Sequence, residues 1–252
     1  MITIRPIPAF SDNYIWHLQH KDEHWVVDPG DADPVMRALG RNQLTGILLT
    51  HHHFDHTGGV PALKQTYECP VYGPASIELV THPLAEGDQF SVLGGQWEVL
   101  SVPGHTLDHI ALILHADGAH HLFCGDTLFA AGCGRLFEGT PEQMFRSLSR
   151  LADLPSDTLV YCAHEYTLSN LKFALTAEPG NPDIEARMAS ASRTRAEHCP
   201  TLPSTIGIEL ATNPFLRTQS PVIQAQTRAR ADSEGDSPVE IFATLRRWKD
   251  VF

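Results

Sequence analysis

Short apolar runs alternate with turn residues through the first two thirds of the chain. They have the length and composition of β-strands, and most are followed directly by a turn or a polar side chain. The runs cover residues 25–27, 47–49, 97–102, 110–114, 121–124 and 159–162. Helical patterns lie between some of them, with starts at Asp33-Pro34 and at the capping box formed by Thr140 and Gln143. Strands interspersed with helices predict a layered α/β (α+β) domain.

The last third of the chain has a helical pattern instead. Leu168, Leu171 and Leu175 form one apolar stripe, which ends before Pro179-Gly180. Three further helix starts combine a capping side chain with a following proline: Asn181-Pro182, Ser220-Pro221 and Ser237-Pro238. We therefore predict two domains, a layered one over residues 1–167 and a helical one over residues 168–252.

Composition narrows the class of protein. With 252 residues the chain can bury a full core without disulfides, and its 42% apolar and 19% charged residues are typical of a globular protein. Eighteen basic against 30 acidic residues give a net charge of −12, which argues against a nucleic-acid or membrane-surface role. Neither a transmembrane run nor a signal-peptide pattern is found, and no CxxC pair occurs among the five cysteines. These features predict a cytoplasmic protein, which we expect to be a monomer.

Histidine is concentrated in the first domain. Fourteen of the 15 histidines precede residue 165, and the net charge of residues 1–167 is −12 whereas that of residues 168–252 is zero. Imidazole is a common metal ligand and titrates near neutral pH. The chemistry is therefore expected in the layered domain.

The segment from Thr50 to Gly59 contains four candidate ligands within six residues. His51 and His53 are two residues apart at the end of an apolar run, so in extended backbone they point to one side and His52 to the other. Asp55 and His56 follow where the chain must turn. A solvated loop or a purification-tag remnant would also be rich in histidine. The cluster is internal and interrupted by other residue types, so metal binding is favoured over both.

Three more candidate ligands directly follow predicted strands or their turns. They are His105, Asp126 and His164. Residues at the ends of several strands converge on one rim of a sheet. Seven ligands exceed the needs of one tetrahedral ion but suit two ions that share a carboxylate. We assign one ion to His51, His53 and His105, the other to Asp55, His56 and His164, and the bridging position to Asp126.

The absence of cysteine from this set predicts a catalytic centre, because structural zinc sites are closed and rich in thiolate. Two dications sharing a water would lower its pKa and clamp the attacking and leaving atoms. Asp55 and Asp126 are thus the carboxylates expected to be catalytic as well as metal-binding. Zinc is the expected metal, although iron and manganese suit the same ligands.

The Thr-His-x-His-x-Asp-His motif with the three later ligands resembles the metallo-β-lactamase superfamily. Further stretches resemble the glyoxalase II (hydroxyacylglutathione hydrolase) family within it, and they span most of the chain. Among them are residues 11–15, 27–30, 103–106, 123–129, 132–140, 162–167 and 213–217. The resemblance implies an αββα sandwich with a C-terminal helical domain. It also implies hydrolysis of S-D-lactoylglutathione to D-lactate and glutathione by a metal-bridged hydroxide, the second step of methylglyoxal detoxification.

The same resemblance implies a glutathione-binding set beside the metals: Arg135, Phe137, Tyr166, Arg246 and Lys249. Arg246 and Lys249 lie about 60° apart on one flank of the last helix, where they could meet a carboxylate. Basic residues in a last helical turn are also usual without any ligand, because they complement the helix dipole. Phe137 stands where many members have tyrosine, so one hydroxyl contact to glutathione should be missing.

Four other residues near the motifs are not assigned to the ligand or glutathione-binding sets. Asp108 stands where glycine is frequent, and its effect is open. His109 is expected to be packed in the core or to support a ligand, rather than to bind the metal, and Asp28 is expected to support a ligand from behind. Glu165 either supports a ligand or is solvated.

Three rival interpretations belong to other classes. The sequence is also similar to persulfide dioxygenases, which share this fold but use a single iron. The presence of Asp55, His56 and the complete C-terminal helical region favours the hydrolase. A nuclease would need a basic face on its metal domain, which is acidic here. A non-catalytic binding module is disfavoured because all seven ligands are present.

Overall fold

The computed structural model describes residues 1–230, 232–233 and 235–252, which form two compact units. The first unit comprises residues 1–102, 108–125 and 159–164, and the second comprises residues 103–107, 126–158 and 165–252. The proposed division at residue 168 therefore differs from these units in three segments. Residues 103–107, 126–158 and 165–167 precede that boundary in the sequence but belong to the compact unit that contains the C-terminal helices.

The first unit contains a six-stranded sheet with its strands in sequence order. The strands are β1 (Thr3–Ala9), β2 (Asn13–His20), β3 (Glu23–Val27), β4 (Gly46–Leu48), β5 (Val71–Pro74) and β6 (His82–Leu84). Pairing is antiparallel from β1 to β3 and parallel from β3 to β6. Three helices belong to the same unit: α1 (Ala32–Leu39), α2 (Phe54–Thr57) and α3 (Val60–Tyr67). Val35, Leu39 and Leu63 bury the apolar faces of α1 and α3 against this sheet.

A second sheet contributes five strands to this unit, in the order β13-β10-β9-β8-β7. They are β7 (Gln89–Val92), β8 (Gly95–Ser101), β9 (Ile110–Ala116), β10 (Ala119–Gly125) and β13 (Leu159–Cys162). Aromatic rings fill the space between the two sheets: Trp97 stacks near Phe123, and Phe90 packs between Trp97 and Tyr72. Burial of such rings contributes a large share of core stability. The two sheets with helices confirm the α/β class that the alternating pattern predicted.

The second unit is mainly helical. It contains α4 (Pro141–Ala152), α5 (Thr167–Ala177), α6 (Pro182–Ala196), α7 (Ile206–Thr212), α8 (Pro221–Arg228), α9 (Pro238–Asp250), a 3₁₀ turn (Pro214–Leu216) and the short strands β11 (Leu128–Phe129), β12 (Gly132–Cys133) and β14 (Ser204–Thr205). The predicted leucine stripe of α5 packs against Ile184 of α6. Among the described helices, none has the length and apolar character needed to cross a lipid bilayer.

Of the five predicted capping residues, Thr140, Asn181 and Ser237 cap their helices, Ser220 begins α8 without a capping side-chain hydrogen bond, and Asp33 does not cap α1. The capping boxes at Thr140 and Ser237 are both formed, each with its reciprocal side-chain hydrogen bonds. The predicted cap Asp33 was wrong, because Asp31 caps α1 and accepts a hydrogen bond from the Asp33 amide at 3.1 Å. Asp31 and Asp33 both precede Pro34, so the sequence alone does not distinguish them. Asp31 is the cap because its backbone is extended, whereas Asp33 is already inside the helix.

Candidate metal centre

The histidine-rich segment leaves β4 in extended form and enters α2. His51 is buried and its ring lies 4.8 Å from that of His53, whereas His52 is exposed with Nδ1 3.0 Å from Asp108 Oδ1. The alternation expected for extended backbone is therefore present. His109 packs flat on the His51 ring, at 4.5 Å between centroids, and is fully buried. This is the packed role that the sequence suggested for His109.

Asp28 anchors the histidine-rich segment through Thr50, the residue that precedes His51. The Thr50 hydroxyl and amide donate to the two carboxylate oxygens of Asp28, at 2.7 and 2.8 Å. Because that hydroxyl gives its only hydrogen to Asp28, it accepts from Nδ1 of His51 at 3.0 Å. Nδ1 of His56 lies 3.1 Å from Asp28. Both rings thus carry their hydrogen on Nδ1, which leaves the Nε2 lone pairs for a metal.

Asp55, His56 and His164 form a compact donor group in the first unit. Nε2 of His56 and Nε2 of His164 each lie 3.5 Å from Asp55 Oδ2, and one ligand atom from each of the three residues lies within 4.8 Å of the others. His51, His56 and Asp28 form a second group of this kind. Asp28 uses its oxygens on Thr50 and His56, so we count it as a support rather than a ligand.

Two neighbouring residues that the sequence did not single out fix this group. Asp12 Oδ1 lies 2.7 Å from Nδ1 of His164, and the Asn13 amide donates to Asp55 Oδ2 at 3.0 Å. Asn13 also forms a β-bridge with His164, which brings the start of β2 to the end of β13. The stretch containing Asp12 and Asn13 was noted only as a family resemblance. Their roles depend on the pairing of segments about 150 residues apart.

The remaining two predicted ligands lie in the second unit. Nε2 of His105 is 3.4 Å from Asp126 Oδ2, and Nδ1 of His105 donates to the Arg135 carbonyl at 2.8 Å. That bond again leaves Nε2 as the lone-pair nitrogen. A side chain at Gly134 would collide with the Asp126 carbonyl, so only glycine allows this close approach.

The predicted glutathione-binding residues all belong to the second unit. The Phe137 ring meets His105 edge to face at 5.2 Å, and the Arg135 side chain is 65% exposed, 3.7 Å from Asp250. Tyr166 packs against Phe129 at the start of α5. These positions leave Arg135 and Phe137 close to a candidate ligand, His105.

The basic pair of α9 divides into a buried and a more exposed residue. Arg246 is 4% exposed and donates through Nη1 to the Cys133 carbonyl at 2.8 Å and through Nη2 to Asp250 at 3.0 Å. Lys249 is partly exposed, and burial lowers its pKa from the usual lysine value, with Arg246 adding to the shift. Burial also raises the pKa of the Cys133 thiol to about 11, so it is not a nucleophile at neutral pH.

The two other residues with open roles have specific partners. Asp108 accepts a hydrogen bond from the Ser76 hydroxyl at 2.6 Å in addition to its contact with His52. Glu165 accepts from the Thr201 amide and hydroxyl at 2.8 and 2.6 Å. Glu165 therefore anchors the loop before β14, and it is not simply solvated.

The donor set fits a divalent metal. In each of these groups the nearest atoms are imidazole nitrogens and carboxylate oxygens, and the imidazoles are held in the tautomer that coordination requires. Imidazole with carboxylate is the ligand chemistry of catalytic zinc, iron and manganese sites rather than of thiolate-rich structural sites.

We expect Asp12→Asn to weaken metal binding without preventing folding. The substitution replaces the carboxylate behind His164 with a neutral amide, and outer-sphere partners of this kind contribute about 10- to 100-fold to metal affinity. Competition with a chromogenic chelator measures the change. Asp22→Asn, in the exposed turn between β2 and β3, is the matched control and should bind metal as the wild type does. Equal affinities for both variants would contradict the role of Asp12.

Two family models divide the chain between them. Residues 10–164 match the model described as metallo-beta-lactamase superfamily, and residues 165–252 match the model described as hydroxyacylglutathione hydrolase C-terminus. A curated relative from Hahella chejuensis, named hydroxyacylglutathione hydrolase, is 51% identical over 257 residues and covers 100% of both chains.

Solved structures share the fold at lower identity. The crystal structure of ETHE1 from Myxococcus xanthus superposes with a TM-score of 0.65 at 24% identity, covering 99% of each chain. The structure of TTHA1623 in a di-iron-bound form gives a TM-score of 0.59 at 26% identity, covering 85% of this chain and 100% of the other.

Proposed function

Because the chain belongs to the hydroxyacylglutathione hydrolase family of the metallo-beta-lactamase superfamily, we propose that it hydrolyses S-D-lactoylglutathione and related S-2-hydroxyacylglutathiones. The products would be a 2-hydroxy acid, such as D-lactate, and glutathione. The observation that carries this proposal is the Asp55–His56–His164 donor group, held in coordinating form by Asp12, Asn13 and Asp28.

The proposed centre holds two divalent ions. His51, His53 and His105 would bind one ion, Asp55, His56 and His164 the other, and Asp126 would bridge them. Asp126 directly follows Gly125 at the end of β10, and His105 lies in the short segment between Val102 and Asp108. The di-iron form of TTHA1623 is consistent with two ions in this fold. Zinc is our choice of metal.

When bound, the ions would lower the pKa of a shared water and polarise the thioester carbonyl. The protein's own part is to place and orient the ligands. Asp12 and Asp28 keep His164 and His56 with their hydrogens on Nδ1, and Asn13 fixes the orientation of the Asp55 carboxylate. A thiol of pKa about 8.5 is a good leaving group, so the reaction needs no strong general acid.

Glutathione would bind to the second unit. Its carboxylates need cationic partners, and Arg135 and Lys249 present charged groups that are at least partly exposed. Tyr166 would contribute a hydroxyl, whereas Phe137 offers only an apolar ring beside His105. Arg246 would contribute chiefly by holding the backbone of residues 133–134.

A reducing compartment fits the state of the thiols. All five cysteines are free, and four of them are buried. Free thiols persist where glutathione keeps cysteines reduced. We accordingly propose a cytoplasmic location, and a monomer as the functional form.

The test follows the thioester absorbance of S-D-lactoylglutathione with the untagged chain, together with the metal content per chain. We expect turnover at two ions per chain and none after chelation, with recovery on adding zinc. Absence of thioester cleavage at full metal occupancy would refute the proposal. Oxygen consumption with glutathione persulfide at one iron per chain would favour a dioxygenase instead.

A further inference from the structure

A pair of histidines faces a cavity at the far end of the second sheet. His115 on β9 and His120 on β10 are directly opposite each other in the antiparallel register. β9 begins at Ile110, whose amide donates to the Thr50 carbonyl beside the candidate metal centre. Five residues of strand separate Ile110 from His115, which is about 17 Å at roughly 3.4 Å per residue. The pair is therefore remote from that centre.

A tight turn holds the two histidines in place. β9 and β10 are joined by Asp117 and Gly118 alone, which have φ angles of 51° and 79°. Positive φ at both central residues is the mark of a type I′ turn, whose twist matches that of the strands. On the other side of β9, His115 is paired with Gln96 of β8. The spacing of the imidazoles is thus set by the sheet.

A hydrogen bond joins the two rings through their Nδ1 atoms. Nδ1 of His115 and Nδ1 of His120 are 2.7 Å apart, and the ring planes are 84° from each other. Two nitrogens bound to one ion at about 2.0–2.1 Å lie roughly 2.9–3.4 Å apart. Opening the pair by a few tenths of an ångström, with the proton of this hydrogen bond moved to Nε2 of the same ring, would therefore admit an ion.

The second nitrogen of His115 has the partner that coordination favours. Nε2 lies 3.7 Å from Glu98 Oε2, which is longer than a hydrogen bond but within the range of an ion pair. A carboxylate behind a metal-bound imidazole fixes the ring and raises its basicity.

The surroundings favour a cation over an anion. The pair opens into a cavity of about 700 Å³, whose described lining includes Glu23 and Asp117 and no lysine or arginine. The terminal amine of Met1 is the cation found nearby, 3.9 Å from Asp117. The cavity leaves room for water to complete a coordination sphere.

We propose that His115 and His120 form a second metal site, which takes a divalent transition-metal ion such as Ni²⁺ or Cu²⁺. Imidazole suits these ions, and they bind nitrogen ligands more tightly than Mn²⁺ or Fe²⁺ does. The site is additional to the proposed hydrolytic centre and does not depend on that activity.

The experiment uses the full, untagged, zinc-loaded protein, dialysed against Ni²⁺. Nickel and zinc per chain are then counted for the wild type and for His120→Asn. We expect one nickel fewer per chain in the variant, with a Kd for Ni²⁺ raised at least tenfold and thioester hydrolysis unchanged. His198→Asn removes an exposed imidazole elsewhere and should keep the wild-type nickel content.

His115→Asn supplies a second variant if His120→Asn does not fold. An anomalous difference map of nickel-soaked crystals should show a peak between the two Nδ1 atoms. Equal nickel content in the wild type and the folded variant, a peak elsewhere only, or binding of inorganic phosphate in place of nickel would overturn the proposal.

Discussion

Replacing Asp55 with alanine is expected to lower kcat for thioester hydrolysis by at least about a thousandfold and to remove one metal ion per chain. Asp55 Oδ2 is the atom that His56, His164 and Asn13 all approach, at 3.5, 3.5 and 3.0 Å. Without it, that ion would keep only two imidazoles and its share of the bridging Asp126 carboxylate. The measurement combines steady-state kinetics with metal analysis of the same sample.

His52→Ala is the matched control, because it removes an imidazole from the same segment. The His52 side chain is 40% exposed and is directed to Asp108 rather than to the donor group. We expect this variant to keep both its metal content and its kcat within about twofold of wild type, as is usual for surface substitutions. If Asp55→Ala kept full metal and full turnover, or if His52→Ala lost both, the proposed ligand assignment would be wrong.

The parts of the structure that the sequence predicted depend on short-range rules. Side chains alternate between the two sides of an extended backbone, which correctly separated His51 and His53 from His52. The capping boxes at Thr140 and Ser237 correctly located two helix starts. Both rules operate within a few residues, so they can be read from a single sequence. The α/β class followed from counting such local elements.

The parts that the sequence did not predict depend on long-range pairing. Asp12 lies 152 positions from His164, and no local pattern relates the two. The segments 103–107 and 126–158 belong to the same compact unit as the C-terminal helices although strands of the other unit interrupt them. The histidine content and the net charge change only once along the chain, near residue 168. A single change of this kind indicates one boundary, so it cannot identify a unit that is built from separate segments.

For Arg246 the fold adds a structural role to the glutathione-binding role that the resemblance implies. A solvated arginine on the last helix would act only on substrate, so that Arg246→Ala would raise KM and leave stability unchanged. The structure places the guanidinium in the interior, on the carbonyls of Cys133 and Gly134 and over the Phe215 ring at 5.1 Å. Removing it would leave these carbonyls without a charged donor and would create a cavity.

We therefore expect Arg246→Ala to reduce the free energy of unfolding by about 2–4 kcal/mol, typical of a buried, hydrogen-bonded charge, as well as to raise KM. Thermal unfolding should show a Tm lower by roughly 5–10 °C for a chain of this size. Lys249→Ala removes the neighbouring, partly exposed cation, so KM should rise while Tm changes little. An unchanged Tm in Arg246→Ala would mean that these buried hydrogen bonds do not stabilise the fold. A KM unchanged in both variants would instead remove α9 from the glutathione site, because neither the Lys249 charge nor the backbone that Arg246 holds would then contribute to substrate binding.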